Sequence, residues 1–376
     1  MNVRTVTTDT SAAGEGSRNT RLNAGTADLA MDGFLRNAWY VAAFSREIGR
    51  ALQPIRLLDE PVVLYRTSSG EVAALEDACP HRKLPLSMGR LKGDAVECGY
   101  HGLTFNMQGA CIDAATQTRI PPLACVRSYP VRERYGLVWI WMGEPEQAAG
   151  TPLIDIEHHD DPNWYLSPGD SLLCRCHYLW LVDNLLDPSH VAWVHRGSFA
   201  GAGTEDTPLQ IHDDEQGVVC SRWLLNRPPP PYYEPLLKFS GHADRLQHYE
   251  VRYPSIAINK STFAPAGKGG DALRDSAQVY RMVSYNFLTP IDADSTRYFW
   301  LQHRNTDPLN EDITQRIAAA AKSAFEEDRL VLEAVHQGMK NRRTPTTGLM
   351  LDAAASRFRR TLAAKIAAES PQDIKA

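Results

Sequence analysis

Two short runs of the chain carry soft metal donors at a spacing that chance does not readily give. The first is Asp77-Ala-Cys-Pro-His-Arg-Lys, which holds Cys79 and His81. The second is Cys98-Gly-Tyr-His, which holds Cys98 and His101. Each run offers one thiolate and one imidazole, whereas zinc fingers tend to pair Cys with Cys and His with His. One thiolate and one imidazole from each of two loops suits a [2Fe–2S] centre with two thiolates on one iron and two imidazoles on the other. Pro80 stiffens the first loop, while Gly99 and Gly102 let backbone approach the sulfides closely. A structural Cys2His2 zinc site is the alternative.

A second group of donors lies further along. In Asp183-Asn-Leu-Leu-Asp-Pro-Ser-His-Val-Ala-Trp-Val-His, His190 and His195 are five residues apart, about 140° on an ideal helix. A helix distorted at Pro188, or ending near His195, could aim both rings at one ion. Taken singly, each histidine is more often an ordinary hydrogen-bonded residue. Asp328 supplies a third donor. It falls on the apolar stripe Ile313, Ile317, Ala321, Ala324, Phe325, Leu332, Val335, Met339 of a long helix, with Glu326 and Glu327 expected to point elsewhere. A carboxylate buried there needs a cation, either an ion shared with His190 and His195 or an Arg or Lys partner. Two imidazoles and one carboxylate make the facial triad of non-haem Fe(II) oxygenases. Asp187, three residues before His190, is placed to hydrogen-bond the ring's other nitrogen, or else to cap a helix. Asn184 is a weaker candidate for a supporting role beside the metal, against an ordinary capping role.

The elements that must position these groups fall into two halves. From Phe34 to about Met142 the pattern is short strands and turns, including Pro61–Arg66, Val72–Leu75 and Tyr135–Trp141. Gly143 to Pro152 reads as a linker. The second half opens with a helical segment from Leu179 to about His195. Strands follow near Val218–Ser221, Gln247–Arg252, Val279–Leu288 and Tyr298–His303. Helices then cover about Glu311–Met339 and Ala353–Ala368. Strands bracketed by helices indicate α+β architecture with an antiparallel sheet. The expected divisions are a mobile tail over 1–33, an all-β domain over 34–146 and a second domain over 147–376.

The chain has 376 residues and a formal net charge of −5. Its mixed charges lack the basic footprint of a nucleic-acid binder. Arg357, Arg359 and Arg360 read as the solvated face of a helix. No apolar run is long enough to span a bilayer, and the first thirty residues contain no secretory signal. The seven cysteines form no secreted-type framework, which points to a reducing, cytoplasmic setting. Cys111 and Cys125 are expected to be small buried hydrophobes, and Cys174 and Cys176 to share one strand face. No complete dinucleotide fingerprint is present, since Gly201-x-Gly203 lacks its third glycine. Gly267-Lys-Gly-Gly-Asp lacks phosphate-loop spacing and reads as a surface or lid loop.

Together the two donor groups resemble those of the Rieske non-haem iron oxygenases. Asn184-x-x-Asp187-x-x-His190-x-x-x-x-His195 looks like that family's iron motif, and Phe325-Glu-Glu-Asp328 like its later acidic ligand. The segments Arg36-Asn-Ala-Trp-Tyr-Val, Glu133-Arg-Tyr-Gly-Leu-Val-Trp-Ile-Trp, Ala266-Gly-Lys-Gly-Gly and Leu288-Thr-Pro through Tyr298-Phe-Trp300 are closest to the vanillate O-demethylase and dicamba monooxygenase branch. The resemblance implies a Rieske [2Fe–2S] domain followed by a helix-grip catalytic domain with mononuclear Fe(II), assembled as a homotrimer. Electrons would pass from one subunit's cluster to a neighbour's iron, with His101 or His81 facing Asp187. A reductase or ferredoxin would supply them, with NAD(P)H and flavin on that partner. Oxygen would enter a C–H bond of a small aromatic substrate, and hydroxylation of an O- or N-methyl group would release formaldehyde. A ring-hydroxylating dioxygenase would use identical ligands, and an electron carrier or zinc-stabilised protein is the remaining alternative. The pocket is expected between Trp223 and His303. An Arg or Lys there could bind a carboxylate, but the sequence assigns none.

Overall fold

The structure is a computed structural model that describes residues 33–196, 199, 207–267 and 278–369. Apart from Gly33, the expected tail lies outside the described residues, as do Gly197, Gly201, Gly203 and the loop following Gly267.

The first half is built of three small antiparallel sheets. Strands β1 (Trp39–Phe44), β2 (Gln53–Leu57), β3 (Glu60–Arg66), β4 (Val72–Glu76), β5 (Arg90–Lys92), β6 (Ala95–Glu97), β7 (Leu103–Phe105), β8 (Cys111–Ala114), β9 (Val131–Arg134) and β10 (Leu137–Trp141) assemble in the orders β1-β10-β9, β2-β3-β4 and β5-β6-β7-β8. β10 starts two residues later than expected. Tyr135 and Gly136 both take positive φ, 62° and 72°, and form the two-residue hairpin turn from β9, whose twist matches the flanking strands. The stretch expected as a linker is not free. It contains a helical turn, α1 (Pro145–Ala148), whose Ala148 is buried. Arg132 binds the carbonyls of Ala148 and Thr151, and the Trp39 indole binds Thr151 as well.

The second half is one antiparallel sheet with helices against one face. β11 (Tyr165–Leu166), β12 (Asp170–Cys174), α2 (Tyr178–Leu186) and α3 (Val191–Val194) come first. β13 (Gln210–Asp213), β14 (Gly217–Arg227), β15 (Ala243–Arg252), β16 (Ile256–Pro265), β17 (Tyr280–Asp292) and β18 (Ser295–Arg304) follow, then α4 (Glu311–Asn341) and α5 (Ala353–Glu369). The sheet order is β11-β18-β17-β16-β15-β14-β13, and β12 also pairs with β18. β16 escaped the sequence reading because its centre, Asn259-Lys-Ser-Thr, is polar on both faces. Asn259 and Ser261 line one cavity, while Lys260 and Thr262 line another on the opposite side.

The two halves share a core. One apolar cluster joins Tyr40, Val62 and Leu64 of the first to Leu172, Leu181 and Phe358 of the second. Thr289 also donates a hydrogen bond to the Val41 carbonyl at 2.6 Å. Inside this core Arg359 is buried, not solvated as expected. Its guanidinium forms a two-point pair with Asp183 at 2.9 and 2.6 Å and lies over Trp180, which satisfies a charge that burial alone would penalise. Cys174 and Cys176 pack in the same core. Against expectation, Cys111 at the start of β8 is only half-buried, packed against the cluster that contains Cys79 and Cys98, and Cys125 is exposed.

Candidate metal centres and the adjoining cavity

Two loops at one end of the first half have matching backbones. The Cys79 N–H bonds to the Leu84 carbonyl and the Lys83 N–H to the Cys79 carbonyl, at 2.9 and 2.8 Å. In the second loop the Cys98 N–H bonds to Leu103 and the Gly102 N–H to Cys98, at 2.8 and 3.1 Å. Each fifth residue is left-handed, Lys83 at φ 57° and Gly102 at φ 72°. A side chain at Gly102 would also meet Ala115 Cβ at 2.9 Å, which accounts for the glycine.

These loops bring all four expected donors together. Cys79 and Cys98 are buried side by side as free thiols. Above them His81 and His101 approach through Nδ1 at 3.1 Å, with ring centroids 4.6 Å apart. Burial pushes the Cys79 thiol pKa up, and Cys98 adds to this. The backbone N–H groups of His81 and Arg82, aimed at the sulfur, oppose it. Two buried thiols below two converging imidazoles, with N–H groups turned toward sulfur, fit a cluster with thiolates on one side and imidazoles on the other.

The second centre forms where the expected single helix breaks. α2 ends at Leu186 and α3 begins at Val191, with Pro188 in the gap. His190 and His195 are the residues bounding α3, and Asp328 faces them from α4. One donor atom from each lies within 4.8 Å of the others. His195 Nε2 is 3.2 Å from Asp328 Oδ1, and His190 Nε2 is 3.6 Å from the same oxygen. Both Nδ1 atoms are engaged on the far sides of the rings. His190 Nδ1 bonds the Asp187 backbone carbonyl, and His195 Nδ1 meets Glu327 Oε2 at 2.7 Å. An N–H at Nδ1 leaves the Nε2 lone pair free for a metal.

Asp328 supplies the test of fit. It is buried, and its Oδ1 has no hydrogen-bond partner. No Arg or Lys pairs with it among the described residues. An orphaned buried carboxylate facing two imidazole lone pairs is a donor set suited to a divalent ion with open positions. Burial opposes protonation of His195, but the Asp328 and Glu327 carboxylates outweigh it and raise the pKa.

Three expectations near this centre change. Glu327 does not point away: its side chain reaches back from α4 to hold His195, while Glu326 pairs with Arg329. The Asp187 carboxylate does not hold His190. It caps the turn after α2 by accepting from the Ser189 N–H at 2.8 Å and from the Ser189 hydroxyl, and its backbone carbonyl anchors the ring instead. Asn184 sits in the last turn of α2 and does not line the cavity beside the donors. Along α4, Val335 is exposed and His336 takes its place in the buried stripe, bonding the Trp180 indole.

A cavity of about 100 Å³ opens beside His190, His195 and Asp328. Its helical walls include Leu185, Val191, Phe325, Ala321 and Ala324. The sheet contributes a row of facing residues, Tyr249, Asn259, Ser284 and Gln302, which are cross-strand partners in register. Arg245 and Tyr233 close one end. The sequence-based bounds thus found the sheet side of the cavity and missed its helical side.

Comparison with known proteins agrees with both halves. Residues 38–130 match the Rieske [2Fe-2S] domain, and residues 174–368 match the vanillate O-demethylase oxygenase C-terminal domain. The toluene-4-sulfonate monooxygenase system iron-sulfur subunit of Comamonas testosteroni is 40% identical over 305 residues, covering 80% of this chain and 88% of that protein. The vanillate O-demethylase oxygenase subunit of a Pseudomonas species is 34% identical over 307 residues, covering 80% and 85%. Among solved structures, dicamba monooxygenase bound to 3,6-dichlorosalicylic acid superposes with a TM-score of 0.81 at 30% identity, covering 91% of this chain and all of that one. The same enzyme with non-haem iron and dicamba gives 0.73 at 27% identity, covering 90% and 99%.

Proposed function

The chain belongs to the Rieske non-haem iron oxygenases of the vanillate O-demethylase type, and from that premise we propose how its residues divide the work. It is the oxygenase component of a multicomponent system that uses dioxygen and externally supplied electrons to hydroxylate a small aromatic compound. Where the hydroxylated carbon is an O- or N-methyl group, the product releases formaldehyde. The observation that carries this reading is the convergence of two imidazole Nε2 atoms on an orphaned, buried carboxylate oxygen at the wall of a cavity.

Residues 34–146 form the electron-accepting unit and residues 147–376 the catalytic unit. Cys79 and Cys98 hold one iron of the cluster, and His81 and His101 the other. His190, His195 and Asp328 hold the mononuclear Fe(II). When bound, these groups supply stepwise electron transfer and dioxygen activation. The chain's own residues do the rest. The Asp187 carbonyl and the Glu327 carboxylate fix the tautomers of the two imidazoles. Phe325, Val191 and Leu185 give the cavity an apolar helical wall, in which the Phe325 ring offers a flat surface to a planar substrate. Asp187, beside the half-buried ring of His190, is the entry point for electrons from a neighbouring subunit's His81 or His101 in a head-to-tail homotrimer. The exposure of His81, with Tyr100 and Met88 beside the cluster loops, supports such docking. The nicotinamide and flavin belong to a reductase or ferredoxin partner. Seven free cysteines support a cytoplasmic setting, and no described helix is long and apolar enough to cross a membrane.

The test uses the purified protein with a reductase, NADH and a panel of O-methylated aromatic acids. Substrate-dependent oxygen uptake with stoichiometric formaldehyde is expected. A cis-diol that keeps its methyl group, or a colourless protein containing zinc, overturns the reading.

A further inference from the structure

The cavity beside the metal donors contains a cation that nothing among the described residues neutralises. Arg245 is 5% exposed, and neither its Nε nor its Nη1 has a hydrogen-bond partner. It forms no ion pair among the described residues. Its sequence neighbour Asp244 is not the counter-ion. That side chain lies on the other face of β15, where it accepts from the N–H groups of Asn226 and Gly267 at 2.8 and 3.0 Å. The nearby guanidinium of Arg222 is engaged by the Gln247 side chain at 2.7 Å and the Thr207 carbonyl at 3.0 Å. Tyr233 and Phe263 flank Arg245 with ring centroids at 5.2 Å each. Those rings hold the guanidinium in place but accept none of its in-plane N–H bonds.

Resting on the oxygenase reading above, we infer that Arg245 is the anion-reading residue of the cavity. It binds a carboxylate or sulfonate carried on the substrate's ring, while the substituent to be hydroxylated faces His190, His195 and Asp328. A guanidinium fork matches the paired oxygens of either group. Leaving its donors unmet in a buried site is unfavourable, so a neutral ligand of the same shape is rejected. The wall between the cation and the metal donors is aromatic: Tyr233 lies 6.0 Å from Phe199, and Phe199 lies 6.1 Å from His195. The cavity of about 100 Å³ is smaller than the roughly 150 Å³ that accepts benzene, which limits the ligand to no more than one ring. The only carboxylate among the described lining residues is Asp328, which the metal claims. The substrate class is therefore a one-ring aromatic monoanion.

The test measures equilibrium binding to the iron-loaded, cluster-bearing protein by calorimetry. The probes are 4-methoxybenzoate, 4-methylbenzenesulfonate and the neutral 4-methoxybenzamide. Wild-type protein is expected to bind at least one anion tenfold or more tighter than the amide, and the anion that binds tighter identifies the headgroup. Arg245→Met should weaken that anion by about thirtyfold or more and change amide binding less than about threefold. Arg245→Lys, which keeps the charge without the fork, should fall between. An unchanged Rieske absorption spectrum and circular dichroism establish that each variant is folded. Equal binding of anion and amide by wild type, no binding of either anion, or undiminished anion binding by a folded Arg245→Met protein overturns the inference. Anion binding that depends on Arg245, but with no probe-dependent oxygen uptake, keeps the anion site and removes the catalytic reading.

Discussion

Exchanging Asp328 for Asn changes one charge at nearly constant volume, and its effect should reverse sign with metal. In the iron-depleted protein each imidazole turns Nδ1 toward an oxygen acceptor, the Asp187 carbonyl or the Glu327 carboxylate, so the N–H sits there and Nε2 keeps its lone pair. The wild-type carboxylate then sits buried with Oδ1 unpartnered, 3.2 and 3.6 Å from two nitrogens that carry no proton. An unsatisfied buried polar group costs about 1–3 kcal/mol, more when charged. An amide at the same place removes the charge and brings an N–H within reach of the His195 lone pair. The iron-depleted D328N variant should therefore be more stable than wild type by about 1–3 kcal/mol, a rise of roughly 2–12 °C for a domain of this size. Fe(II) at a thousandfold excess over its dissociation constant adds about 4.1 kcal/mol to a protein that binds it. Wild type gains this and the variant gains little, so the order of stabilities inverts on loading. Scanning calorimetry with and without mononuclear iron, alongside iron analysis and the Rieske spectrum, reads all three quantities. An iron-depleted variant that melts below wild type, or one that keeps full mononuclear iron, refutes the claim that this carboxylate is kept for a cation rather than for the fold.

Glu327→Gln should lower mononuclear iron affinity about 10–100-fold while sparing the cluster; unchanged affinity by metal titration argues that the 2.7 Å contact to His195 has no orienting role. Asp187→Asn should keep iron but slow product formation, and wild-type single-turnover rates would show that no electron route passes through it. Burial, with His159 and His158 adding to it, drives the His303 pKa down to about 4. Its neutral form is thus favoured in the folded state, and the associated stability is present above pH 6.5 and lost as pH falls from there toward 4. Because neither ring nitrogen has a partner, His303→Leu should remove about 3 kcal/mol of that acid-side loss; parallel unfolding profiles for the two proteins over this window would contradict it.

The donors that sequence reading found are those whose chemistry is confined to a few adjacent residues. Cys79, His81, Cys98 and His101 sit in two tight loops, so local spacing already implies convergence. Asp328 was visible because a carboxylate on an apolar stripe is anomalous wherever the helix packs. Glu327 was missed because it lies about 100° from Asp328 round the helix, and only its flexible side chain brings it back to His195. Arg245 escaped because β alternation divides a strand into two faces without saying which one is concave. Arg359 was misread for a related reason: its partner Asp183 is on a distant helix, and no local pattern announces a buried pair. The break between α2 and α3 was signalled by Pro188, but its extent depends on how Asp187 caps the turn.

That break has a further consequence. Two of the three proposed metal donors, His190 and His195, bound α3, a single turn of four residues, and the third is on α4, which runs for 31 residues. An ion there would rivet a short element to a long one. Val191, His195 and Phe199 belong to or follow the short element and also form the cavity wall. Loading metal and shaping the aromatic pocket are thus two readings of one equilibrium, and by reciprocity whatever ligand favours the finished wall must also tighten the grip on the ion.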